Sequence, residues 1–290
     1  MAWDVAEIRS QFPILSTTVE GHPLRYLDAA ATAQKPRAVL EAVRAFHETD
    51  NANVHRGVHP LAERATERYE TARDAVRGFV NAARREEIVF TKSCTESINL
   101  VARSWGERCA EGDVIALTRL EHHSNVIPWM QLADRRGLRL AWIDVDDEGR
   151  PKTEELDRVL AGGGVRMVAV TGQGNVIGVR PDLAAIAEKA HAAGALVCVD
   201  AAQLVAHHRI DVRSLGCDFL AFSGHKLYGP GGVGVLYAKK EILESMPPFL
   251  GGGSMIRDVS AGGFTAAELP HRFEAGSPPV AGGVGPRAAL

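Results

Sequence analysis

Cysteine is scarce in this chain, which has four cysteines among its 290 residues. Cys94, Cys109, Cys198 and Cys217 form no CxxC pair, and no cysteine–histidine cluster has the spacing of a zinc site. The sequence therefore predicts neither a disulfide framework nor a bound metal ion. So few cysteines are typical of a reducing compartment, and we expect a cytoplasmic protein.

The sequence also lacks an excess of either charge and any long apolar run. Its 33 basic and 36 acidic residues leave a net charge of −3, with no basic stripe of the kind that binds a nucleic-acid backbone. The first ten residues include Asp4 and Glu7 and no apolar core, unlike a secretory signal. No segment approaches the ~20 apolar residues that span a bilayer. We therefore expect no nucleic-acid partner and no membrane association.

What the chain does contain is an alternation of strand and helix patterns from residue 87 onward. Short apolar runs rich in β-branched residues are followed by segments of helical periodicity. The predicted strands lie at 87–90, 113–117, 138–145, 165–170, 196–199, 219–222 and 234–238. The predicted helices lie at 37–49, 60–80, 95–105, 125–136, 153–160 and 181–193. This order predicts an α/β fold with a mostly parallel sheet covered by helices on both faces. After residue 240 the pattern weakens into segments rich in proline and glycine.

Sheets of this kind bind ligands at the carboxyl ends of their strands, where three segments carry polar groups. Asp200 ends a buried strand, where a carboxylate needs a partner, although a helix N-cap would also explain it. Lys226 follows another strand in a tight turn with Ser223 and His225. A desolvated amine there would be nucleophilic, and a surface lysine is the alternative. Residues 91–95 place small hydroxyl side chains at a helix start, which favours bound phosphate or simply caps the helix.

An amine, a carboxylate and an anion site together match one ligand, pyridoxal phosphate, which has an aldehyde, a ring nitrogen and a phosphate. The segment EHHSN at 121–125 follows a further strand and offers an imidazole to stack on the ring. A GxGxxG pattern at Gly229, Gly231 and Gly234 runs into a strand rather than a helix. We therefore interpret these residues as turn glycines and not as a dinucleotide site.

Several long segments, in the same order, resemble the class V aminotransferase family of fold-type I pyridoxal phosphate enzymes. Within that family, the chain is most similar to the SufS-type (group II) cysteine desulfurases. The resemblance runs from near Phe12 to the last residue. It is carried by YLDAAATAQKP (26–36), NVHRGVHPLAERATERYE (53–70), FTKSCTESINLVA (90–102), EHHSNVIPW (121–129), HAAGALVCVDAAQ (191–203), SGHKLYGPGGVGVLY (223–237) and HRFEAGSPP (271–279).

The resemblance implies a role for each matching residue. Lys226 would bind the cofactor as a Schiff base and move the substrate's α-proton, and His123 would stack on the ring and assist proton transfer. The cofactor-binding residues would be Thr95, Asn175, Asp200, Gln203, Ser223, His225, Lys226 and, toward the partner subunit of a homodimer, Ser277. His55 and Arg56 would lie near the substrate. Cys94 departs from the pattern, because the family usually has a hydroxyl residue there.

The implied reaction converts L-cysteine to L-alanine, and sulfur passes as a persulfide to an acceptor protein of the SUF system for iron–sulfur cluster assembly. In the family, a C-terminal small domain carries the nucleophilic cysteine, and we expect that domain to be absent from these 290 residues. Residues 1–20 would join it, and residues 21–290 would form the cofactor-binding large domain. Turnover would then be poor, and an apolar patch would lie exposed near residues 5–12.

Two kinds of alternative remain open at the level of sequence. One is a related enzyme with the same cofactor, such as a selenocysteine lyase, a C–S lyase or an epimerase. The other is a cofactor-binding scaffold protein without catalysis, which the lack of a matching nucleophilic cysteine would favour.

Overall fold

The computed structural model describes residues 3–290, apart from the side chains of residues 286 and 287. Helices and strands alternate along most of this range. The helices are α1 (Val5–Ser10), α2 (Arg37–Thr49), α3 (Pro60–Phe79), α4 (Cys94–Ser104), α5 (Ile127–Arg136), α6 (Thr153–Ala161), α7 (Leu183–Ala192), α8 (Val212–Leu215), α9 (Lys240–Glu244) and α10 (Val280–Ala289). The strands are β1 (Thr18–Val19), β2 (His22–Pro23), β3 (Ile88–Thr91), β4 (Val114–Thr118), β5 (Arg139–Ile143), β6 (Val165–Thr171), β7 (Leu196–Asp200), β8 (Phe219–Ser223), β9 (Gly234–Ala238), β10 (Ile256–Ser260) and β11 (Gly263–Ala266).

A seven-stranded sheet in the order β3-β9-β8-β7-β6-β4-β5 forms the centre of the fold. The strands β4 to β8 pair in parallel, and β9 runs antiparallel to both β3 and β8. The prediction of a mostly parallel α/β sheet is therefore confirmed. Each strand predicted between residues 87 and 238 is present, with ends within two residues of those predicted.

Both faces of the sheet are buried, because successive strand residues point to opposite sides. In β4, Val114 and Ala116 belong to one apolar cluster, while Ile115 and Leu117 belong to the other. Helices α4 and α5 contribute to the second cluster, and α3, α6 and α7 contribute to the first. The strands are consequently apolar throughout, and polar side chains are confined to their ends.

The region after residue 240 is more regular than the sequence indicates. It contains the hairpin of β10 and β11 and the ten-residue helix α10. The glycines of α10 explain why the helix is not predicted. A Cβ on Gly285 would lie 2.3 Å from Pro230, and one on Gly282 would lie 2.5 Å from Val233. Glycine lowers the helix propensity of this segment, but it allows the helix to pack closely against the rest of the domain.

The N-terminal segment exposes some apolar side chains, but Val5 is the one exposed large apolar residue within 5–12, all of which the structure describes, so the patch expected there stays a prediction. Helix α1 has no buried residue, and Val5 and Trp3 are 65% and 83% exposed. The role of residues 1–20 in a further domain stays a prediction, and residues 1 and 2 lie outside the described range. Among the described residues, no helix combines the length and hydrophobicity needed to cross a bilayer.

Candidate active site

A cavity of about 220 Å³ lies at the carboxyl ends of the parallel strands. Thr171, Asp200 and Ser223, which end β6, β7 and β8, all line it. The start of helix α4 closes the same cavity from the side. Apolar strand sequences that end in a polar residue thus bring their polar groups to one edge of the sheet, as sheet topology predicts.

Asp200 is 3% exposed and uses its two carboxylate oxygens differently. Oδ1 accepts hydrogen bonds from the backbone N–H of Ala202 at 2.9 Å and from the thiol of Cys94 at 3.3 Å. Oδ2 has no hydrogen bond with the described residues, and Asp200 caps no α-helix there. The carboxylate therefore keeps one acceptor oxygen for a donor that enters the cavity.

Lys226 lies in the 3-10 turn Gly224–Lys226 that follows β8, and its side chain lines the same cavity as Asp200. The side chain is half-buried and forms no ion pair with any residue that the structure describes. The alternative of a surface lysine in a loop therefore does not apply. A free amine and a carboxylate oxygen share one enclosed space.

The start of helix α4 combines a helix cap with hydroxyl groups that face the cavity. Ser93 is the N-cap, and its hydroxyl accepts a hydrogen bond from the N–H of Glu96 at 3.2 Å. Ser223 Oγ accepts from the N–H of Cys94 at 2.8 Å, and Thr95 Oγ1 lies 2.8 Å from Ser124 Oγ. Capping and anion binding are thus not exclusive here, because Thr95 stays at the cavity while Ser93 caps the helix.

Gly234 at the start of β9 allows the helix to begin so close to the sheet. A Cβ at this position would lie 2.4–2.6 Å from backbone atoms of Ser93. One glycine of the GxGxxG pattern, Gly234, therefore has a local role. It permits the strand and helix backbones to approach each other beside the cavity.

His122, and not His123, is the histidine of the EHHSN segment that lines the cavity. Its Nδ1 accepts a hydrogen bond from the N–H of Ser124 at 3.1 Å, which fixes the ring at the start of a 3-10 turn. His123 follows within that turn and is exposed. The sequence pattern thus reaches the segment that lines the cavity, and the stacking role of His123 that the resemblance implies stays a prediction.

Glu121 contacts the backbone of Thr171 in the cavity wall and accepts three hydrogen bonds. Its Oε1 accepts from Thr118 Oγ1 at 2.6 Å and from the N–H of Thr171 at 2.8 Å, and its Oε2 accepts from Asn125 Nδ2 at 2.7 Å. Burial raises the pKa of Glu121 to about 8, against the lowering effect of these hydrogen bonds. Sequence reasoning did not single out this residue, although it directly precedes the histidine pair.

Three further predicted residues lie in the cavity wall. Gln203 donates from Nε2 to the carbonyl oxygen of Ala30 at 2.8 Å. His225 Nδ1 lies 3.1 Å from Thr32 Oγ1. The pKa of this histidine is lowered mainly by burial and to a smaller extent by the positive charge of Lys226. Asn175 also lines the cavity and is exposed.

Three other predicted residues lie outside the cavity in this chain. His55 has a left-handed backbone with φ of 64°, and its Nε2 contacts Glu70 Oε1 at 3.0 Å. Arg56 beside it is exposed, and Ser277 is exposed on a separate groove.

The surroundings of His55 also bring together ligand-type side chains. His55, Glu70 and His271 place one nitrogen or oxygen atom each within 4.8 Å of one another. Glu70, however, is already bound by the guanidinium of Arg73, which is fully buried. That positive charge disfavours a cation at the same position.

The chemistry of the cavity residues fits pyridoxal phosphate. They supply an amine, a carboxylate oxygen with no other donor, and hydroxyl groups at a helix start. Gln173 adds a buried Oε1 atom for which the described part of the chain offers no hydrogen-bond partner. Sequence reasoning missed Gln173, and its signal was the position just beyond the carboxyl end of β6. A buried acceptor without a donor points to a ligand that supplies one.

Known proteins resemble this chain over almost its whole length. The family model "Aminotransferase class-V" matches residues 25–290. A cysteine desulfurase of Enterobacter sp. (strain 638) is 49% identical over 292 residues, which cover 100% of this chain and 72% of that protein. Among solved structures, the cysteine desulfurase CsdA of Escherichia coli is 42% identical with a TM-score of 0.88, covering 100% of this chain and 71% of that one.

A cysteine desulfurase of Thermococcus onnurineus NA1 is 40% identical with a TM-score of 0.93, and the match covers 100% of this chain and 70% of that one. These similarities cover the whole cavity described above. The chain therefore belongs to the class V aminotransferase family, and it is an enzyme whose cofactor is pyridoxal 5'-phosphate.

Proposed function

We propose that this protein is a cysteine desulfurase of the SufS type (group II), which releases alanine from L-cysteine and passes the sulfur on as a persulfide. The acceptor would be a protein of the SUF system that supplies iron–sulfur cluster assembly. One observation supports this most: the amine of Lys226 and the free Oδ2 atom of Asp200 line one cavity. The relatives named above carry the same activity in their names, which supports the choice of L-cysteine as substrate.

When bound, the cofactor supplies a ring that withdraws electrons from the α-carbon of an amino acid. Asp200 would hold a proton on the ring nitrogen through Oδ2. Lys226 would hold the cofactor by its aldehyde group, and its Nζ would move the α-proton of the substrate. Each role depends on a group that the cavity wall already presents.

The remaining polar groups of the cavity orient the cofactor. Thr95, Ser223 and His225 hold the phosphate beside the start of helix α4, where backbone N–H groups and the helix dipole favour an anion. Gln203 and Asn175 bind ring substituents. His122 takes the stacking role that the sequence assigns to His123, because His122 is the one that lines the cavity.

A homodimer would complete the site. Arg56 and Ser277 are exposed outside the cavity, where they can face a second copy of the chain. In that arrangement Ser277 reaches the phosphate of the partner subunit, and Arg56 with His55 lies near its substrate. An exposed guanidinium is a suitable group for the substrate carboxylate.

Sulfur transfer needs a thiolate, and the four thiols of this chain are poorly suited to it. All four are buried. Burial raises the pKa of Cys94 and Cys198 well above the usual range, and that of Cys109 and Cys217 to about 11 and about 12. We therefore expect the 290-residue chain to bind the cofactor and L-cysteine but to release alanine slowly or not at all.

The same observation favours a C–S lyase as the second candidate. A β-elimination needs no protein thiol: the C–S bond breaks and the sulfur leaves as sulfide, and water then hydrolyses the remaining enamine, so that the carbon skeleton becomes pyruvate and the amino group becomes ammonia. The two candidates therefore differ in their carbon product, alanine for the desulfurase and pyruvate for the lyase.

The test begins with protein reconstituted with pyridoxal phosphate. We expect a visible absorption band that Lys226→Ala abolishes and that the surface variant Lys240→Ala retains. L-cysteine should change that band, and L-serine should change it far less. A colourless wild-type protein would contradict the cofactor assignment. Pyruvate in place of alanine in an overnight incubation would favour the lyase, and an unchanged band with L-cysteine would exclude both.

A further inference from the structure

The side chain of Cys94 enters the cavity from the start of helix α4 and donates its S–H to Asp200 Oδ1 at 3.3 Å. Cys94 is 4% exposed, so water does not compete for this contact. The residue is also held by its backbone, because its N–H donates to Ser223 Oγ at 2.8 Å. The thiol is therefore fixed from one side by β8 and directed at the end of β7.

The thiol stays protonated in these surroundings. Burial and the adjacent Asp200 carboxylate both raise the pKa of Cys94 well above the usual range for a thiol. A thiolate beside a buried carboxylate would place two negative charges in contact, which is unfavourable. Cys94 is thus a hydrogen-bond donor and not a nucleophile.

We infer that Cys94 is a positioning residue that holds Asp200 with Oδ2 directed at the cofactor ring. Two donors, Cys94 Sγ and the N–H of Ala202, occupy Oδ1. That leaves Oδ2 as the acceptor for the ring nitrogen, and the carboxylate cannot rotate without breaking both contacts. This inference rests on the proposed cofactor role of Asp200 and adds a residue to it.

The assignment differs from a phosphate contact, which is what a hydroxyl residue at position 94 would suggest. Thr95 and Ser223 remain available for the anion, because neither uses its side chain on Asp200. Cys94 instead acts at the opposite end of the ring, through the carboxylate. A small donor at this position links the start of helix α4 to the end of β7.

The test measures the affinity of the apo-protein for pyridoxal phosphate by tryptophan fluorescence, together with the visible band of the loaded enzyme. Cys94→Ala should weaken binding by about threefold to tenfold, the effect of one hydrogen bond to a charged group with a weak donor. Cys94→Ser, which restores a donor, should bind within about twofold of wild type. Cys217→Ala removes a buried thiol elsewhere and should leave the affinity unchanged.

A second measurement reads the wild-type holoenzyme directly and needs a variant only to assign the band. The infrared S–H stretch of Cys94 in the wild-type holoenzyme, identified by its loss in Cys94→Ser, should lie at the low frequency of a thiol bonded to a carboxylate. Equal affinity of Cys94→Ala and wild type, an equal loss in Cys94→Ser, or an S–H band typical of a free thiol would each overturn the inference. A wild-type protein without a visible band would overturn the cofactor proposal and this inference with it, so the two failures are distinguishable.

Discussion

The guanidinium of Arg73 meets the carboxylate of Glu274 in two parallel hydrogen bonds, Nη1–Oε1 at 2.6 Å and Nη2–Oε2 at 2.9 Å. Arg73 is fully buried, and Glu274 also accepts from the N–H of Phe90 at 2.7 Å. This pair therefore joins α3 to the segment that leads into α10 and fixes the edge strand β3 between them.

Glu274→Gln should lower the free energy of unfolding by about 3–5 kcal/mol, because it leaves the Arg73 charge buried without its partner. Glu48→Gln is the matched control, since it breaks an exposed ion pair with Arg44 and should cost less than about 1 kcal/mol. Urea unfolding of both variants checks the expectation. If both variants lost a similar amount of unfolding free energy, burial of the Arg73–Glu274 pair would not explain its contribution to stability.

The same pair predicts how stability changes in acid. Burial alone would raise the pKa of Glu274, but the charge and hydrogen bonds of Arg73 and the contact with His271 lower it to about 2. The carboxylate therefore stabilises the folded state above pH 4.5, and this contribution is lost as the pH falls toward 2. Wild type should thus lose more stability between pH 5 and pH 3 than Glu274→Gln, as measured by urea unfolding at each pH.

Glu121 predicts the opposite dependence on pH. Its pKa is raised from 4.5 to about 8, so the folded protein keeps a proton that the unfolded chain releases. Stability should therefore decrease as the pH rises from 4.5 to 8, since the folded state binds more protons in that range. The free energy of unfolding of Glu121→Gln should not decrease with pH in this way, even if the substitution lowers stability by an amount that does not depend on pH. Parallel pH profiles for wild type and variant would show that folding does not shift the pKa of Glu121.

The sequence predicts most of this fold because the strands are buried on both faces and bounded by helices. Asp200, Ser223 and Lys226 could be placed at one sheet edge for the same reason, since parallel strands end together. Helix α10 could not be predicted, because its glycines are selected by contacts with Pro230 and Val233 that only the folded chain brings together.

The details of the cavity depend on side-chain directions that a pattern does not encode. Nothing in the sequence indicates that the thiol of Cys94 points to Asp200 and away from the anion site. Likewise, the choice between His122 and His123 depends on the 3-10 turn that begins there. Neighbouring residues in such a turn point in different directions, and the pattern EHH does not distinguish them.

Gly234 provides a test of the close contact between β9 and helix α4. Gly234→Ala would place a Cβ 2.4–2.6 Å from the backbone of Ser93, so the strand or the helix start must move. We expect a loss of about 1–3 kcal/mol in stability and weaker binding of pyridoxal phosphate, because the anion site lies at that helix start. Gly231→Ala, which meets nothing within 4 Å, is the control. Unchanged cofactor affinity in Gly234→Ala would show that phosphate binding does not depend on the close contact between Gly234 and Ser93.

Alanine variants of the neighbouring residues His122 and His123 test which of the two side chains contacts the cofactor. Both side chains are exposed, but His122 lines the cavity and accepts from the N–H of Ser124, whereas His123 is not among the residues that line it. His122→Ala should therefore shift the visible band of the bound cofactor and weaken its binding by about tenfold, through the loss of a stacked ring. His123→Ala should leave both the band and the affinity near wild type. Reversed results would restore the stacking role to His123, and they would mean that the turn rearranges when the cofactor binds.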